Sequence, residues 1–210
     1  HGEGEAAFKG LINALAETGK PIIAFLFNGR PLAITNLIDK ADAIYECWYP
    51  GQESGNACAD ILFGDYNPGA KLTISFPRSA GHIPVYYNHK PSARRGYFND
   101  DVSPLYSFGY GLSYTTFEFS NLRLEKESIS TTESVKVYVD IKNTGEIRGD
   151  EVIQLYIRDE LSTVTRPVKE LKDFKRVSLN PGEMKTIELM ITPEKLKFYD
   201  INMDYVVEPG

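Results

Sequence analysis

Two patterns of apolar positions divide the chain. In the first, Phe8, Leu11, Ile12 and Leu15 recur at helical spacing, and Thr18-Gly19-Lys20-Pro21 supplies a stop. Residues 22–27 then form an unbroken apolar run, the pattern of a strand buried on both faces. Asn28-Gly29-Arg30-Pro31 reads as a turn, residues 32–38 as a short helix and residues 43–48 as a second strand. Pro50-Gly51-Gln52 turns the chain into a helix from about Ser54 to Phe63, and residues 72–76 read as a third strand. Strands separated by helices imply right-handed crossovers and a mostly parallel sheet. Three strands make a thin sheet, as expected if part of the domain lies upstream.

From residue 81 to about residue 113 the periodicity breaks. His82-Ile83-Pro84-Val85-Tyr86-Tyr87-Asn88-His89-Lys90-Pro91 is rich in proline and aromatics, and the irregular stretch continues through Arg94-Arg95-Gly96-Tyr97-Phe98. A segment of this length without regular structure is a functional loop or an inter-domain strap. Beyond it the grammar is all-β. Residues 135–141, 152–157 and 186–191 alternate with period two, and Asn143-Thr144-Gly145 and Asn180-Pro181-Gly182 mark turns. This predicts an immunoglobulin-like sandwich whose boundary lies near residues 114–118.

Composition narrows the function classes. The 23 Lys and Arg against 29 Asp and Glu give a net charge of −6, which opposes a broad nucleic-acid footprint. The apolar runs are too short to span a membrane. At 210 residues the chain is short for an enzyme with a cleft of its own. No signal-peptide pattern opens it, and Pro209-Gly210 would ordinarily turn into another element. The chain therefore reads as a piece of a longer polypeptide. Cys47 and Cys58 fit neither a zinc pattern nor a CxxC pair; they read as buried free thiols, with a disulfide or a reactive thiol as the alternative.

Several motif matches fail. Residues 64–71 have the spacing of a phosphate loop but lack Gly-Lys-Ser/Thr, follow a helix and contain Pro68. Gly109-Tyr110-Gly111 begins like a dinucleotide fingerprint but has no third glycine and no following helix. His82 and His89 are too far apart to share a helix face, so no metal site is expected and no cofactor is implied.

One long stretch is more specific. Asn28-Gly29-Arg30-Pro31-Leu32 leads to Trp48-Tyr49-Pro50-Gly51-Gln52-Glu53-Ser54-Gly55-Asn56-Ala57, then to Asp60-Ile61-Leu62-Phe63-Gly64-Asp65-Tyr66-Asn67-Pro68-Gly69-Ala70-Lys71-Leu72 and Ser75-Phe76-Pro77-Arg78. It resembles the second domain of glycoside hydrolase family 3, of the bacterial β-glucosidase and β-xylosidase type. Pro104-Leu105-Tyr106-Ser107-Phe108-Gly109-Tyr110-Gly111-Leu112-Ser113-Tyr114 and Gly149-Asp150-Glu151-Val152-Ile153-Gln154-Leu155-Tyr156 extend the likeness. The last part looks like that family's fibronectin type III-like domain. The resemblance implies an α/β fold (mostly parallel sheet, a partial α/β sandwich) followed by an all-β immunoglobulin or fibronectin III-like sandwich. Residues 1–80 would be the later part of the α/β sandwich domain, 81–115 an irregular strap and 116–210 the β-sandwich. The family usually continues past Glu208-Pro209-Gly210 with a closing strand, and without it an edge or a core groove would stay open.

The resemblance also implies chemistry. A retaining glycosidase needs two carboxyl groups, a nucleophile and a proton donor. The family's nucleophile is an Asp on a (β/α)8 barrel outside this chain, so no Asp here takes that role. The donor in the glucosidase branch is a Glu on a loop, often within Gly-Glu-Gly; Gly2-Glu3-Gly4 makes Glu3 the candidate, with Glu5 or a donor outside the chain as alternatives. The usual Asp-Arg pair does not follow. Trp48 and Gln52 are candidate sugar contacts or builders of a strand-turn-helix corner. Arg94, Arg95 and Tyr97 would line the cleft or form inter-domain salt bridges. The implied function is part of a retaining β-glycosidase acting on terminal β-D-glucosyl or β-xylosyl residues, inactive alone; the alternative is a non-catalytic structural or carbohydrate-binding module. The implied partners are a β-linked glycoside, the missing barrel segment and a second copy in a homodimer, with neither nucleic acid nor membrane. The expected location is periplasmic or secreted rather than cytoplasmic, with the leader outside this chain.

Overall fold

The computed structural model describes residues 2–91 and 101–210. Its first part contains α1 (Gly2–Glu17), β1 (Ile23–Leu26), α2 (Thr35–Ile38), β2 (Ala43–Glu46) and α3 (Ser54–Phe63). β1 and β2 pair in parallel, from Ile23 opposite Ala43 to Leu26 opposite Glu46. Ile12 of α1, Leu26 of β1, Leu37 of α2, Ile34 and Phe76 form one core cluster. Of the α1 residues the cluster takes Ile12, which is buried, whereas Phe8, Leu11 and Leu15 stay exposed. Ile23 and Phe27 are likewise 46% and 54% exposed, so the apolar run around β1 is covered on one side only, not on both as its composition predicts. α3 ends where Gly64 takes φ of 84°, the left-handed backbone that stops a helix.

The third strand expected over residues 72–76 does not join this sheet. Leu72 N–H donates to Tyr110 O (2.8 Å), Gly109 N–H to Leu72 O (2.7 Å), Phe76 N–H to Tyr106 O (2.8 Å) and Leu105 N–H to Phe76 O (2.8 Å). The segment bends at Thr73 and Ile74, and it pairs antiparallel with the returning strap through a single bridge, Phe76 opposite Tyr106. Thr73 and Ile74 are exposed and Ser75 and Phe76 both buried, so the segment lacks the alternating burial of a sheet strand; local composition does not specify which neighbour supplies the ladder.

The second part is a sandwich of antiparallel strands. One sheet holds β3 (Phe117–Leu124), β4 (Val135–Asn143) and β7 (Met184–Ile191); the other holds β5 (Gly149–Ile157) and β6 (Glu170–Leu179). The hairpin β8 (Phe198–Tyr199) and β9 (Tyr205–Val206) follows a short α4 (Pro193–Leu196). In β4, residues 135, 137, 139, 141 and 143 are buried and their neighbours are not, the one-sided burial that period two encodes. Val137, Val139, Ile141, Ile153, Leu179, Ile187 and Leu189 form the core between the sheets. A groove of about 760 Å³ lies beside it, lined by Val137, Val139, Ile153, Leu155 and Leu189. Asn143 is fully buried and satisfied: Thr115 Oγ1 and Gly145 N–H donate to its Oδ1 at 2.7 and 3.0 Å, and its Nδ2 donates to Ile147 O and Leu179 O.

The two parts meet along a seam of close backbone contact. Asn67 Nδ2 donates to Arg148 O (3.0 Å), and its Oδ1 accepts from Ser113 Oγ (2.9 Å) and Tyr114 N–H (2.8 Å). A Cβ on Gly69 would stand 2.7 Å from Asp150 O, and one on Gly111 would stand 2.4 Å from Ala70 O, so both positions require glycine. Lys71 Nζ lies 2.8 Å from Glu151 Oε1, with side chains 14% and 10% exposed, and also donates to Gly111 O (2.8 Å). Asp150 accepts from Arg176 Nε (2.8 Å) and Ser178 Oγ (2.5 Å), while Arg176 also donates to Tyr66 OH (2.8 Å).

Breaking the Lys71–Glu151 pair from one side leaves a buried charge. Lys71→Met should cost about 3 kcal/mol in urea unfolding, and Lys71→Met with Glu151→Leu should recover most of that loss. A single variant as stable as the parent would contradict the assignment. The Ser178 hydroxyl, then Arg176, holds Asp150 below its ordinary 3.8. A folded-state value below the unfolded one adds stability above about pH 4 that fades as pH falls through the folded value. Asp150→Asn should therefore be less stable than the parent at pH 6, with the gap narrowing toward pH 3, as read from urea midpoints.

Candidate functional site

The carboxyl ends of β1 and β2 face the same edge of the sheet, where open parallel sheets present ligand sites. Each end carries one group of a small polar network. Glu46, the last residue of β2, accepts from Asn28 Nδ2 through Oε2 (3.1 Å) and from Trp48 N–H through Oε1 (3.0 Å). Asn28 Oδ1 in turn accepts from Arg30 N–H (3.3 Å). One carboxylate thus ties the turn after β1 to the turn after β2. Trp48 takes φ of 51°, an uncommon backbone for a bulky residue, costing of order 1 kcal/mol. The hydrogen bond from its N–H to Glu46 holds that conformation.

The turn splits its two aromatics. Trp48 points inward, half-buried, with its ring 6.2 Å from that of Phe76 and packed on the α/β core. Tyr49 points outward, is 80% exposed, and lies over Gly29 so closely that a Cβ there would meet Tyr49 Cε2 at 2.6 Å. Gln52 is exposed on the turn into α3. Sequence spacing singled out Trp48 and Gln52; it did not separate the inward ring from the outward one, nor reveal Glu46 as the link. The detectable signal was a polar residue just after the first apolar run, Asn28, and a lone charged residue inside the second, Glu46.

Glu3 lies within the first turn of α1, because the helix begins at Gly2 rather than after a loop. Arg94, Arg95 and Tyr97 lie outside the described residues. The strap around them is anchored at both sides. Tyr106 packs on Phe76 and stacks on Tyr110 at 5.1 Å, and Tyr87 stacks on Phe108 at 4.2 Å. His82 is buried, accepting from Arg78 N–H at 3.2 Å, a loop-packing role. Tyr114 OH donates to Ile61 O (2.8 Å) and shares a 2.6 Å hydrogen bond with Tyr45 OH; burial, then Tyr45, pushes its phenol up to about 12. Cys47 and Cys58 are free and half-buried, and burial, then the Cys58 thiol beside it, pushes Cys47 up to about 11. Among the described residues no cluster of three or more His, Cys, Asp or Glu is disposed to hold a metal, and no helix is long and apolar enough to cross a membrane.

This arrangement of an α/β layer, a strap and a β-sandwich has known counterparts. The Glycosyl hydrolase family 3 C-terminal domain model matches residues 5–114, and the Fibronectin type III-like domain model matches residues 151–210. A periplasmic beta-glucosidase of Salmonella typhimurium is 48% identical over 95% of the chain, and a beta-xylosidase of Formosa agariphila is 44% identical over 96%. The solved beta-glucosidase from Listeria innocua in complex with isofagomine superposes with a TM-score of 0.91 at 42% identity over 96% of the chain. The chain belongs to glycoside hydrolase family 3. It spans 28% of the length of both curated relatives and 30% of the Listeria chain.

Glu46→Ala removes the acceptor of Trp48 N–H and Asn28 Nδ2. We expect a loss of about 1–3 kcal/mol in urea unfolding, with Glu46→Gln retaining part of it because one amide oxygen remains to accept. Equal losses in both variants would show that the link acts through charge alone.

Proposed function

We propose that this chain forms one wall of the cleft in a retaining β-glycosidase that removes terminal, non-reducing β-D-glucosyl or β-xylosyl residues. One observation carries the reading: a chain of glycoside hydrolase family 3 presents its polar corner, Asn28, Glu46 and the Trp48–Gln52 turn, at the carboxyl edge of its parallel strands. The names of the relatives, β-glucosidase and β-xylosidase, support the substrate class.

In this reading the nucleophilic Asp sits on a barrel outside residues 1–210, and Glu3 is the acid/base. Glu3 protonates the leaving oxygen while the nucleophile bonds to the anomeric carbon. It then takes a proton from the water that releases the sugar with retained configuration. Burial beside the nucleophile would raise its pKa enough to hold that proton. Trp48 fixes the corner, Gln52 reaches sugar hydroxyls, and Arg94, Arg95 and Tyr97 take part in binding the substrate. Residues 1–80 act as the cleft wall, 81–115 as the strap, and 116–210 as a sandwich that stabilises the assembly or joins two copies. The periplasmic relative supports a periplasmic or secreted setting.

The isolated chain should release no aryl alcohol from an aryl β-glucoside, and addition of a barrel-bearing family 3 segment should restore cleavage. Turnover by the chain alone would overturn the placement of the nucleophile, and tight glycan binding without the barrel would favour a binding module. In the assembled enzyme, Glu3→Gln should slow substrates with poor leaving groups far more than those with good ones. An equal effect on both would remove Glu3 from the acid/base role.

A further inference from the structure

Strand β3 lies at the rim of its sheet, with β4 on one side and, among the described residues, no strand on the other. An open rim is a template for pairing with another chain. The strand, Phe117-Glu118-Phe119-Ser120-Asn121-Leu122-Arg123-Leu124, has no proline or glycine and balanced charge, and Phe119, Leu122 and Leu124 are 50%, 74% and 50% exposed. It is also self-complementary about Ser120 once Asn121 is left out. Reversed against a second copy, Glu118 then stands beside Arg123, Phe119 beside Leu122 and Phe117 beside Leu124, each pair on one face because side chains alternate along a strand.

The backbone breaks that match. Phe117 to Ser120 pair with Asn143 to Asp140, and Arg123 and Leu124 with Tyr138 and Val137, so Asn121 and Leu122 together stand opposite Val139. Asn121 takes φ of 50°. Such a β-bulge bends and over-twists its strand and puts the edge groups out of step. A polar network holds it in place. Asn121 Nδ2 donates to Asp140 Oδ2 (2.9 Å), and Arg123 Nη1 to Asn121 O (2.9 Å) and Asp140 Oδ1 (3.4 Å). Thr186 Oγ1, from β7, donates to Asp140 Oδ1 (2.7 Å) and steadies the carboxylate from the far side of β4.

We propose that the Asn121 bulge, locked by Asp140, keeps β3 from pairing antiparallel with the β3 of a second copy. Residue order favours that pair and backbone shape forbids it. The apolar rim stays unpaired because Phe119 and Leu122 cannot meet a partner strand in register. Removing the extra residue would set Leu122 opposite Val139, over the groove that both already line, and would make the ladder continuous. Nothing in this inference rests on the glycosidase reading; it would hold for a chain with no sugar chemistry.

The test compares the whole chain and its variants by sedimentation velocity over one dilution series, so that association through any other surface is common to all. Deletion of Asn121 should strengthen self-association by roughly tenfold or more, the worth of one or two cross-strand pairs. Amide hydrogen exchange in residues 117–124 should slow as the complex forms. Adding Glu118→Arg to the deletion, which places like charge opposite Arg123, should return association to the parent's level. Asn121→Val opposes positive φ and loses the donor to Asp140, so it should move in the same direction as the deletion; Asn121→Gly accepts that φ and should match the parent. A folded deletion variant that associates no more than the parent, association that leaves exchange in residues 117–124 unchanged, or indifference to Glu118→Arg would each overturn the proposal. If the deletion prevents folding, the two point variants decide it, and equal association in both overturns it.

Discussion

The arrangement depends on the near-contact of two backbones along the seam. Residues 67–71 of the α/β part run against residues 109–115 and 148–151, and at Gly69 and Gly111 there is no room for a side chain atom. Once the backbones lie that close, their polar groups are cut off from water and need partners inside. Asn67 serves two of these, Arg148 O and Tyr114 N–H, and the Ser113 hydroxyl besides, and Lys71 serves the carbonyl of Gly111 and the carboxylate of Glu151. The exchange is demanding: a buried ion pair adds little net stability, yet removing half of it is costly. Such a joint discriminates against misaligned docking more than it strengthens the correct one.

Much of this was legible from residue order, and what was not has a physical cause. The period of β4 marked its inward residues one by one, because one face packs on the sandwich core and the other meets solvent. β3 and β6 carried no comparable alternation: β3 is exposed along nearly its whole length, and β6 has charged residues on both faces. Residues 72–76 had the right composition for a strand, but their partner is the strap, which returns about thirty residues later, and local pattern cannot choose between partners. The helical pattern visible from Phe8 understated α1, since glycine and glutamate in its first turn contribute no apolar stripe.

The candidate site was legible as a motif and less so as geometry. Trp48 and Tyr49 are adjacent aromatics with similar sequence credentials, and a positive φ at Trp48 sends one ring into the core and the other into solvent. Only backbone conformation distinguishes them. The failed phosphate loop at residues 64–71 also gains an explanation: Gly64 caps α3, while Gly69 and Lys71 serve the seam, where close approach and a buried charge make the same demands on residue type as a phosphate cradle.

The strap has both ends fastened. Phe76 and Leu72 hold Leu105, Tyr106, Gly109 and Tyr110 by backbone hydrogen bonds, so the chain leaves and re-enters the body at one place. The part of the strap between those anchors is tied to the β-sandwich as well: Leu171 N–H donates to the Tyr87 hydroxyl and Val168 N–H to His89 O. With His82 buried and bonded to Arg78 N–H, the described strap is fastened to both halves along its course rather than at its ends alone. A change at Tyr87, stacked on Phe108 and bonded to Leu171, would therefore be felt in the strap and in the β-sandwich together.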